Sequence, residues 1–436
     1  MRFLFITSMA NTLALAMRVQ EEGHQVRFYI HDPAERETGD GLVEKVDDWQ
    51  KHIDWADVIV FDDVYMKIKG AGVYGGGNWA QKLRAQGYNV VGGSTATDML
   101  ENDRVFGQET LQLWGVDTVP YEHFTSFDDA IKFVNEKGGA WAIKHEGQQS
   151  RFLNTVCWSA EETIAFLKWS KLVWNKYGQG KPDFILQQAV KGIEIAVSAW
   201  FDGRDFASAC YVNREYKKQM PGDYGFSTGQ TGEVGVAVNY PKLFKETLGK
   251  MKQFLASSGY KGFIDINCIV TDDGRAIPLE FTSRFGYPTI YSILALCQNP
   301  VSNVLAGKEH PDLRGYAVTL RLWTNGYPQP SENNADFWIW IPATSKKAIY
   351  FESIKVPSEK ERQDMQLSGY ELYRGAGESG VACVVVGTGT NIKEAREKCF
   401  AVAEKIKLLP YKGMRIDVGG ECVEKEWEEL QRRGWF

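Results

Sequence analysis

The chain predicts a multidomain α/β and α+β fold. Three observations carry this reading. The first hundred residues alternate apolar strands with helices, the middle sets long amphipathic helices among strands, and the last part places strands before one late helix. A length of 436 residues exceeds what one hydrophobic core ordinarily organises, so two to four domains are expected.

In the first hundred residues RFLFIT reads as a short buried strand, and Ser8 as the cap of the helix ANTLALAMRVQEEG, which stops at Gly23. QVRFYI and DWADVIVFDD are the next strands, and the helix NWAQKLRAQG leads to a last strand in NVVGGS. This rhythm implies a parallel sheet covered by helices, a Rossmann-like N-terminal domain over 1–100. Its first turn lacks the GxGxxG fingerprint, so no dinucleotide site is expected there. The glycine run GAGVYGGG at 70–77 is either a ligand loop or a plain connection.

A central domain follows over 101–310, with a small lobe at about 120–190 and a larger one at about 191–310. TDMLENDRVF reads as one helix, followed by the stretch GQETLQLWG. GGAWAIKHEG is a strand running into a loop. SAEETIAFLKWSKLVWNKYG is an amphipathic helix capped by Ser159, with Glu162 at the capping-box position. DFILQQAV and IEIAVSAWFDG are strands around a turn at Lys191 and Gly192, and PKLFKETLGKMKQFLASSG is a second long helix. In a small α+β domain over 311–436, RGYAVTLRLW, KKAIYFESIKV and VACVVVGTG are strands, and NIKEAREKCFAVAEKIKLL is the late helix.

With 24% charged and 44% hydrophobic residues this is ordinary globular composition. The balance of 50 basic against 56 acidic residues argues against nucleic acid as a partner. The seven cysteines form no CxxC pair and read as reduced, mostly core thiols of a cytoplasmic protein. The apolar start MRFLFITSMANTLALAM is interrupted by Thr7, Ser8 and Asn11 and reads as strand, turn and helix rather than a signal peptide. No stretch approaches the ~20 apolar residues of a membrane span, so no membrane partner is expected.

The most informative segment is 262–289, GFIDINCIVTDDGRAIPLEFTSRFGYPT, which reads as two strands joined at Asp272, Asp273 and Gly274. Alternation puts Asp265 and Asn267 on one face of the first strand, and Glu280 and Thr282 on one face of the second. Facing acids repel unless a cation lies with them, and Mg²⁺ arriving with nucleotide phosphates uses one or two carboxylates. The other reading is a hairpin with one solvated face. Lys144, at the end of WAIKHEG, is either an edge residue with its stem on apolar surface or a phosphate ligand. The polar residues 146–151 that follow are a candidate lid over phosphates. Glu194 either accepts from ribose hydroxyls or pairs with a lysine.

The order of these parts, lysine strand, polar loop, hinge strand with a glutamate shortly after, then acidic hairpin ending in Arg284, resembles the ATP-grasp fold. The closer resemblance is to the phosphoribosylamine–glycine ligase family. VVGGSTATDMLENDRVFGQETLQLWGVDTVPYEHF resembles its FGPS turn, LE-x-S-K helix and G-x-P-T-x-x-Y strand. GDYGFSTGQTGEVG resembles its glycine-rich GD-x-GPNTGGMG loop, LEFTSRFGYPT its EFN-x-RFGDPE, and RGYAVTLRLWTNGYP its GxAVTVVLxxxGYP. NIKEAREKCF and MRIDVG resemble its late helix and ending.

The resemblance implies an ATP-grasp ligase that activates a carboxylate as an acyl phosphate and joins it to an amine, with glycine as the acid. It implies that Lys144 contacts ATP phosphate, that Gln187, Gln188 and Val190 form the hinge against adenine, and that Glu194 binds ribose. Asp265, Glu280 and Thr282 are the implied ligands of Mg²⁺, or of Mn²⁺ in its place. Arg284 is implied to stabilise the transferring phosphoryl group, and Asp223 and Thr228 to line the amino-acid site. The implied partners are small molecules, an amino acid and an amine, for a monomer or homodimer. The sequence departs from the family at SMANTLAL, where the family has a GGREHA-type turn, and at Asp62, Asp63 and Val64, where it has G-P-E. A family lysine falls at Gln108. Two further readings therefore stand beside the first: a ligase for a different amine, and an inactive nucleotide-binding homologue.

Overall fold

The computed structural model describes residues 1–64, 66, 75–145, 153–178, 180–324 and 326–436. Strands β1 (Arg2–Thr7), β2 (Gln25–Ile30), β3 (Glu44–Lys45), β4 (Val58–Phe61) and β5 (Val90–Val91) form a parallel sheet in the order β3-β2-β1-β4-β5. All four residues of β4 are buried, as are those of β1 after Arg2, which is the mark of a strand covered on both faces. The chain runs outward from β1 to β3 and returns to β4, so the topological switch point lies between β1 and β4.

Helix α1 (Leu13–Glu21) starts after Thr12 and not at Ser8, and it has no side-chain cap. The hydroxyl of Thr12 is instead committed to the Oδ2 atom of Asp62, at 2.7 Å. Helix α2 (Gly75–Ala85) begins inside the predicted glycine run, whose residues 70–74 fall outside the described residues. The single helix expected over 97–106 is two, α3 (Thr95–Asn102) and α4 (Arg104–Leu113). Asp103 between them has extended backbone, and its carboxylate accepts from the Phe106 amide, so a strong N-cap restarts the helix.

A second sheet, β6 (Tyr121–Phe124), β7 (Trp141–His145), β8 (Thr155–Cys157) and β9 (Phe184–Gln188), is antiparallel in the order β6-β9-β7-β8. Its core joins Trp141, Ile143, Phe184 and Leu186 to Phe127 and Val134 of α5 (Phe127–Lys137) and Leu167 of α6 (Ala160–Tyr177). The start of α6 is as predicted: Ser159 Oγ accepts from the Glu162 amide, and the Glu162 carboxylate accepts from the Trp158 amide.

A long hairpin dominates the next stretch. β10 (Gly192–Phe201) leads to β11 (Phe206–Met220) and β12 (Tyr224–Asn239). The stretch expected as a glycine-rich loop is thus the beginning of a 16-residue strand, paired with β11 along its length. The long helix expected over 241–259 is broken into α7 (Lys242–Glu246), a 3₁₀ turn at Leu248–Met251, and α8 (Lys252–Ser258). The break is at Thr247, whose backbone leaves the helical region (φ −126°, ψ −98°) and whose hydroxyl donates to the Leu243 carbonyl.

The predicted hairpin is present as β13 (Gly262–Thr271) and β14 (Ala276–Thr282), with Gly274 at φ +85° in the turn. After it come α9 (Thr289–Leu296) and α10 (Val301–Ala306). Strands β15 (Tyr316–Trp323), β16 (Trp338–Pro342), β17 (Ile349–Phe351), β18 (Ile354–Lys355), β19 (Tyr370–Gly375), β20 (Val381–Gly389) and β21 (Lys407–Leu409) are shared between two sheets. One runs β14-β13-β10-β11-β12-β15-β20-β17 and the other β18-β19-β16-β21. The strand expected at 346–356 is divided between them, because β17 pairs with β20 and β18 with β19. Six of the seven cysteines are buried thiols. Among the described residues no helix is long and apolar enough to cross a membrane.

By compactness the chain divides into two units. One comprises Met1–Asp98, Ile195–Asp265 and Thr282–Phe436, and the other Met99–Glu194 and Ile266–Phe281. The division at 100 and 310 predicted from sequence follows the chain, whereas these units follow packing.

Within the larger unit, fully buried Glu233 on β12 collects five donors. They are Tyr211 and Asn213 from β11, Gln230 from β12, and Thr289 and Ser292 from α9, at 2.7–3.1 Å apart from the shorter bond of Ser292. Replacing it strands five buried groups at once. Glu233→Ala is expected to lower stability by about 3 kcal/mol or more. A denaturant-unfolding loss under ~1 kcal/mol would contradict this.

Candidate functional site

In the smaller unit the site is built on β7, β9, α4 and β14. Lys144 and His145 are consecutive on β7, so their side chains take opposite faces. His145 goes into the core, its ring 4.9 Å from that of Phe184, and burial with the nearby Arg104 charge pushes its pKa down to about 4. Lys144 goes the other way. It is cross-strand from Ile185, which places Gln187 diagonally along the same face. The Lys144 ammonium donates to Gln187 Oε1 at 2.7 Å and to the Leu279 carbonyl at 3.1 Å. Gln187, only 2% exposed, passes the polarity on, its Nε2 donating to Gln108 Oε1 at 3.4 Å. The lysine thus fixes the orientation of the Gln187 amide.

Gln108 has a neighbour one helical turn earlier on the same face of α4, Arg104. Arg104 Nε donates to the His145 carbonyl at 3.2 Å, and its guanidinium lies 3.9 Å from a Glu280 carboxylate oxygen. Glu280 itself is about half exposed on β14. Three predicted residues, Lys144, Gln187 and Glu280, are therefore brought together with two that were not predicted as site residues, Arg104 and Gln108. Of the remaining predictions here, Gln188 is exposed and its amide donates to the Pro120 carbonyl, Val190 is half-buried, and Glu194 is half-buried near the start of β10. Gly192 sets that strand start: a side chain there would meet the Val270 carbonyl at 2.2 Å. The candidate lid at 146–151 falls outside the described residues.

In the larger unit, Asp265 is 4% exposed and accepts from Ser198 Oγ of β10 at 2.6 Å. Its strand is buried on both faces, which removes the reading of a hairpin with a solvated first strand. Thr282, half-buried, ends β14. Arg284 donates to the Phe285 carbonyl at 2.8 Å and lies against the Tyr287 ring. Asp223 is held by the buried Arg415 at 2.7 Å, and Thr228 donates to the Lys217 carbonyl across the hairpin, at 2.9 Å. Among the described residues no three His, Cys, Asp or Glu side chains form a metal-binding group.

A second polar centre lies at the carboxyl end of β4. Asp62 is 2% exposed, and its Oδ2 accepts from Thr12 at 2.7 Å and from the Tyr287 hydroxyl at 3.5 Å. Burial, and then the charge of Asp63, raise its carboxyl from 3.8 to about 7, against the hydroxyls of Thr7 and Thr12 and the charge of Arg284. Tyr287 is pushed well above its usual value, by burial and then by Asp62.

Residues 102–290 match the family described as phosphoribosylglycinamide synthetase, ATP-grasp (A) domain. A phosphoribosylamine–glycine ligase of Thermotoga maritima is 26% identical over 411 residues, covering 90% of this chain and 93% of that one. The crystal structure of a phosphoribosylamine–glycine ligase from the same organism superposes with a TM-score of 0.69 at 23% identity, over 96% of this chain and all of the other. The chain has the ATP-grasp fold. Over most of its length it is similar to phosphoribosylamine–glycine ligases. A biotin carboxylase domain of Hydrogenobacter thermophilus 2-oxoglutarate carboxylase, solved with MgADP, ADP and bicarbonate, shares the architecture at 13% identity and a TM-score of 0.62, over 100% and 95% of the two chains.

For this ATP-grasp chain the signals missed in the sequence are specific. Arg104 was legible as a cation in the first turn of a helix, one turn before Gln108. Asp62 was legible as an acid ending an apolar parallel strand, where the sequence showed only a departure from the family.

Asp62 couples folding to pH. The folded state holds this proton to higher pH than the unfolded chain does, so stability falls as pH rises from about 4 to about 7 and is flat above. The interval from 3.8 to about 7 corresponds to ~4 kcal/mol at most. Asp62→Asn is expected to flatten the pH dependence of the unfolding free energy across that window. An unchanged slope would contradict the assignment.

Proposed function

We propose that this protein is an ATP-dependent carboxylate–amine ligase that forms an amide through an acyl phosphate, with glycine as the acid. The observation that carries the reading is the Lys144 ammonium held at a strand end by Gln187 and Leu279, with Arg104 and Glu280 in the same unit. A carboxylate resists nucleophiles because it is anionic and its leaving group would be oxide. Transfer of the γ-phosphoryl group to a carboxylate oxygen releases ADP and makes a mixed anhydride. The amine nitrogen then bonds to the acyl carbon, the carbon–oxygen bond to phosphorus breaks, and inorganic phosphate leaves as the nitrogen gives up a proton. The protein's work is positioning and neutralising charge.

The proposed roles are those carried by the resemblance. Lys144 contacts phosphate, Gln187, Gln188 and Val190 face adenine, Glu194 binds ribose, and Arg284 meets charge on the transferring group. Asp223 and Thr228 are proposed for the amino acid. Asp265, Glu280 and Thr282 are proposed for Mg²⁺, with Mn²⁺ as a substitute. In kind they suit such an ion, because all three offer hard oxygen donors, the type Mg²⁺ takes. Bound there, Mg²⁺ supplies charge neutralisation on the phosphate oxygens. The buried thiols support a reducing, cytoplasmic setting.

Arg104 supports activity over an inactive homologue. With Gln108 in place of a family lysine, the positive charge on α4 is present one turn earlier.

Purified protein with Mg·ATP is expected to release ADP and phosphate only when an acid and an amine are both supplied. ATP binding by calorimetry without turnover on any pair would favour the inactive homologue. Lys144→Ala is expected to weaken ATP binding by about tenfold or more, the loss of one charge-assisted hydrogen bond. Unaltered affinity would return Lys144 to an edge role. Glu280→Gln is expected to lower kcat by about a hundredfold or more, and unchanged turnover would remove Glu280 from the metal site.

A further inference from the structure

The turn between β11 and β12 carries Asp223, and its backbone is strained. Gly222 lies at φ +70° and Asp223 at φ +59°, two successive residues in the left-handed region. Glycine adopts that conformation freely, whereas an aspartate there needs its surroundings to hold it. Burial does not do so, because the Asp223 side chain is 54% exposed.

Arg415, from the segment after β21, does. Its side chain is 1% exposed, and its Nη1 donates both to Asp223 Oδ1 at 2.7 Å and to the Lys218 carbonyl at 2.9 Å. Lys218 ends the β11 side of the turn and Asp223 begins the β12 side, so one nitrogen ties the two together. The other edge of the guanidinium is fixed by Asp417, whose two oxygens accept from Nε at 2.8 Å and Nη2 at 2.6 Å. Asp417 Oδ2 also accepts from the Gly222 amide at 3.0 Å. Both residues of the strained pair are therefore held from one short segment. That segment is itself seated on β11: the Arg415 guanidinium lies 4.6 Å from the Tyr216 ring centroid, and the Gly419 amide donates to the Tyr216 hydroxyl at 3.0 Å.

A buried guanidinium costs desolvation unless its donors are filled, and here they are filled by a turn and by the acid that braces it. The ion pair takes only Oδ1 of Asp223; Oδ2 has no donor among the described residues. We propose that Arg415 is a positioning residue for the amino-acid site, holding the Asp223 carboxylate against the strain of its turn so that Oδ2 is presented to the amino acid. The proposal rests on the ligase reading, with Asp223 in the amino-acid site, and adds the residue that sets its geometry. Lysine cannot replace Arg415 in this role, because a point charge lacks the planar fork that engages Asp417 and Asp223 together.

The test is steady-state kinetics of the full chain with Mg·ATP, glycine and hydroxylamine, a neutral trap for acyl phosphates that makes the assay independent of the natural amine. Arg415→Lys is expected to raise KM for glycine ~10-fold or more while KM for ATP stays within ~2-fold. An unchanged glycine KM, or an equal rise in both constants, would overturn the proposal. Asp417→Asn keeps an acceptor for the Gly222 amide but loses the charge opposite Arg415, and it decides the matter if Arg415→Lys does not fold. It is expected to raise KM for glycine alone, by ~3-fold or more, and no change would overturn the proposal. In an Asp223→Ala background Arg415→Lys is expected to add less than ~2-fold to the glycine KM; a full additive effect would show that Arg415 acts elsewhere. Wild-type protein that forms no glycine hydroxamate overturns the ligase reading and this proposal with it, whereas hydroxamate with an unmoved glycine KM in the variants overturns the role of Arg415 alone.

Discussion

The saturated carboxylate of Glu233 is the interaction from which the larger unit's polar segment hangs. It ties β11 and β12 to the first turn of α9 through Thr289 and Ser292. The segment between β14 and α9, which carries Arg284 and Tyr287, is thereby anchored at its far end. Tyr287 reaches Asp62 from that segment. A buried anion is tolerable here because its lone pairs are filled by neutral donors in fixed positions, so no second buried charge is needed.

Asp62 shows the other outcome of the same chemistry. It is buried to a similar degree, yet it has fewer close donors, Thr12 and Tyr287 on one oxygen. The protein answers by holding the carboxyl near neutrality instead of by pairing it. The better-filled carboxylate ties β12 to α9, and the other sits at the switch point of the parallel sheet. The smaller unit repeats the theme with a cation. Lys144 is held by an amide oxygen and a main-chain carbonyl.

The buried strands β1, β4, β7 and β10 and the capped helix α6 were legible because short apolar runs and an N-cap signature are local properties. The errors have non-local causes. Residues 222–235 are rich in glycine and polar side chains and read as a loop, yet from Tyr224 on they are strand, paired with β11 and, from Gly232, with β15 as well. The division of 346–356 depends on β20 and β19, strands that lie later in the chain. The helix break at Thr247 follows a hydroxyl bond to Leu243 that no periodicity reveals. In the site, Lys144, Gln187 and Glu280 could be named from residue type and order. Their partners Gln108, Arg104 and Leu279 come from sequence positions up to 135 residues away from Lys144, and only the folded chain assembles them.

The central claim is that a carboxylate oxygen of the acid is passed to phosphate. Turnover of glycine labelled with ¹⁸O in its carboxylate, followed by mass spectrometry of the inorganic phosphate released, tests this directly. An acyl phosphate pathway predicts one ¹⁸O atom in each phosphate formed per amide. Amide formed with unlabelled phosphate would contradict it.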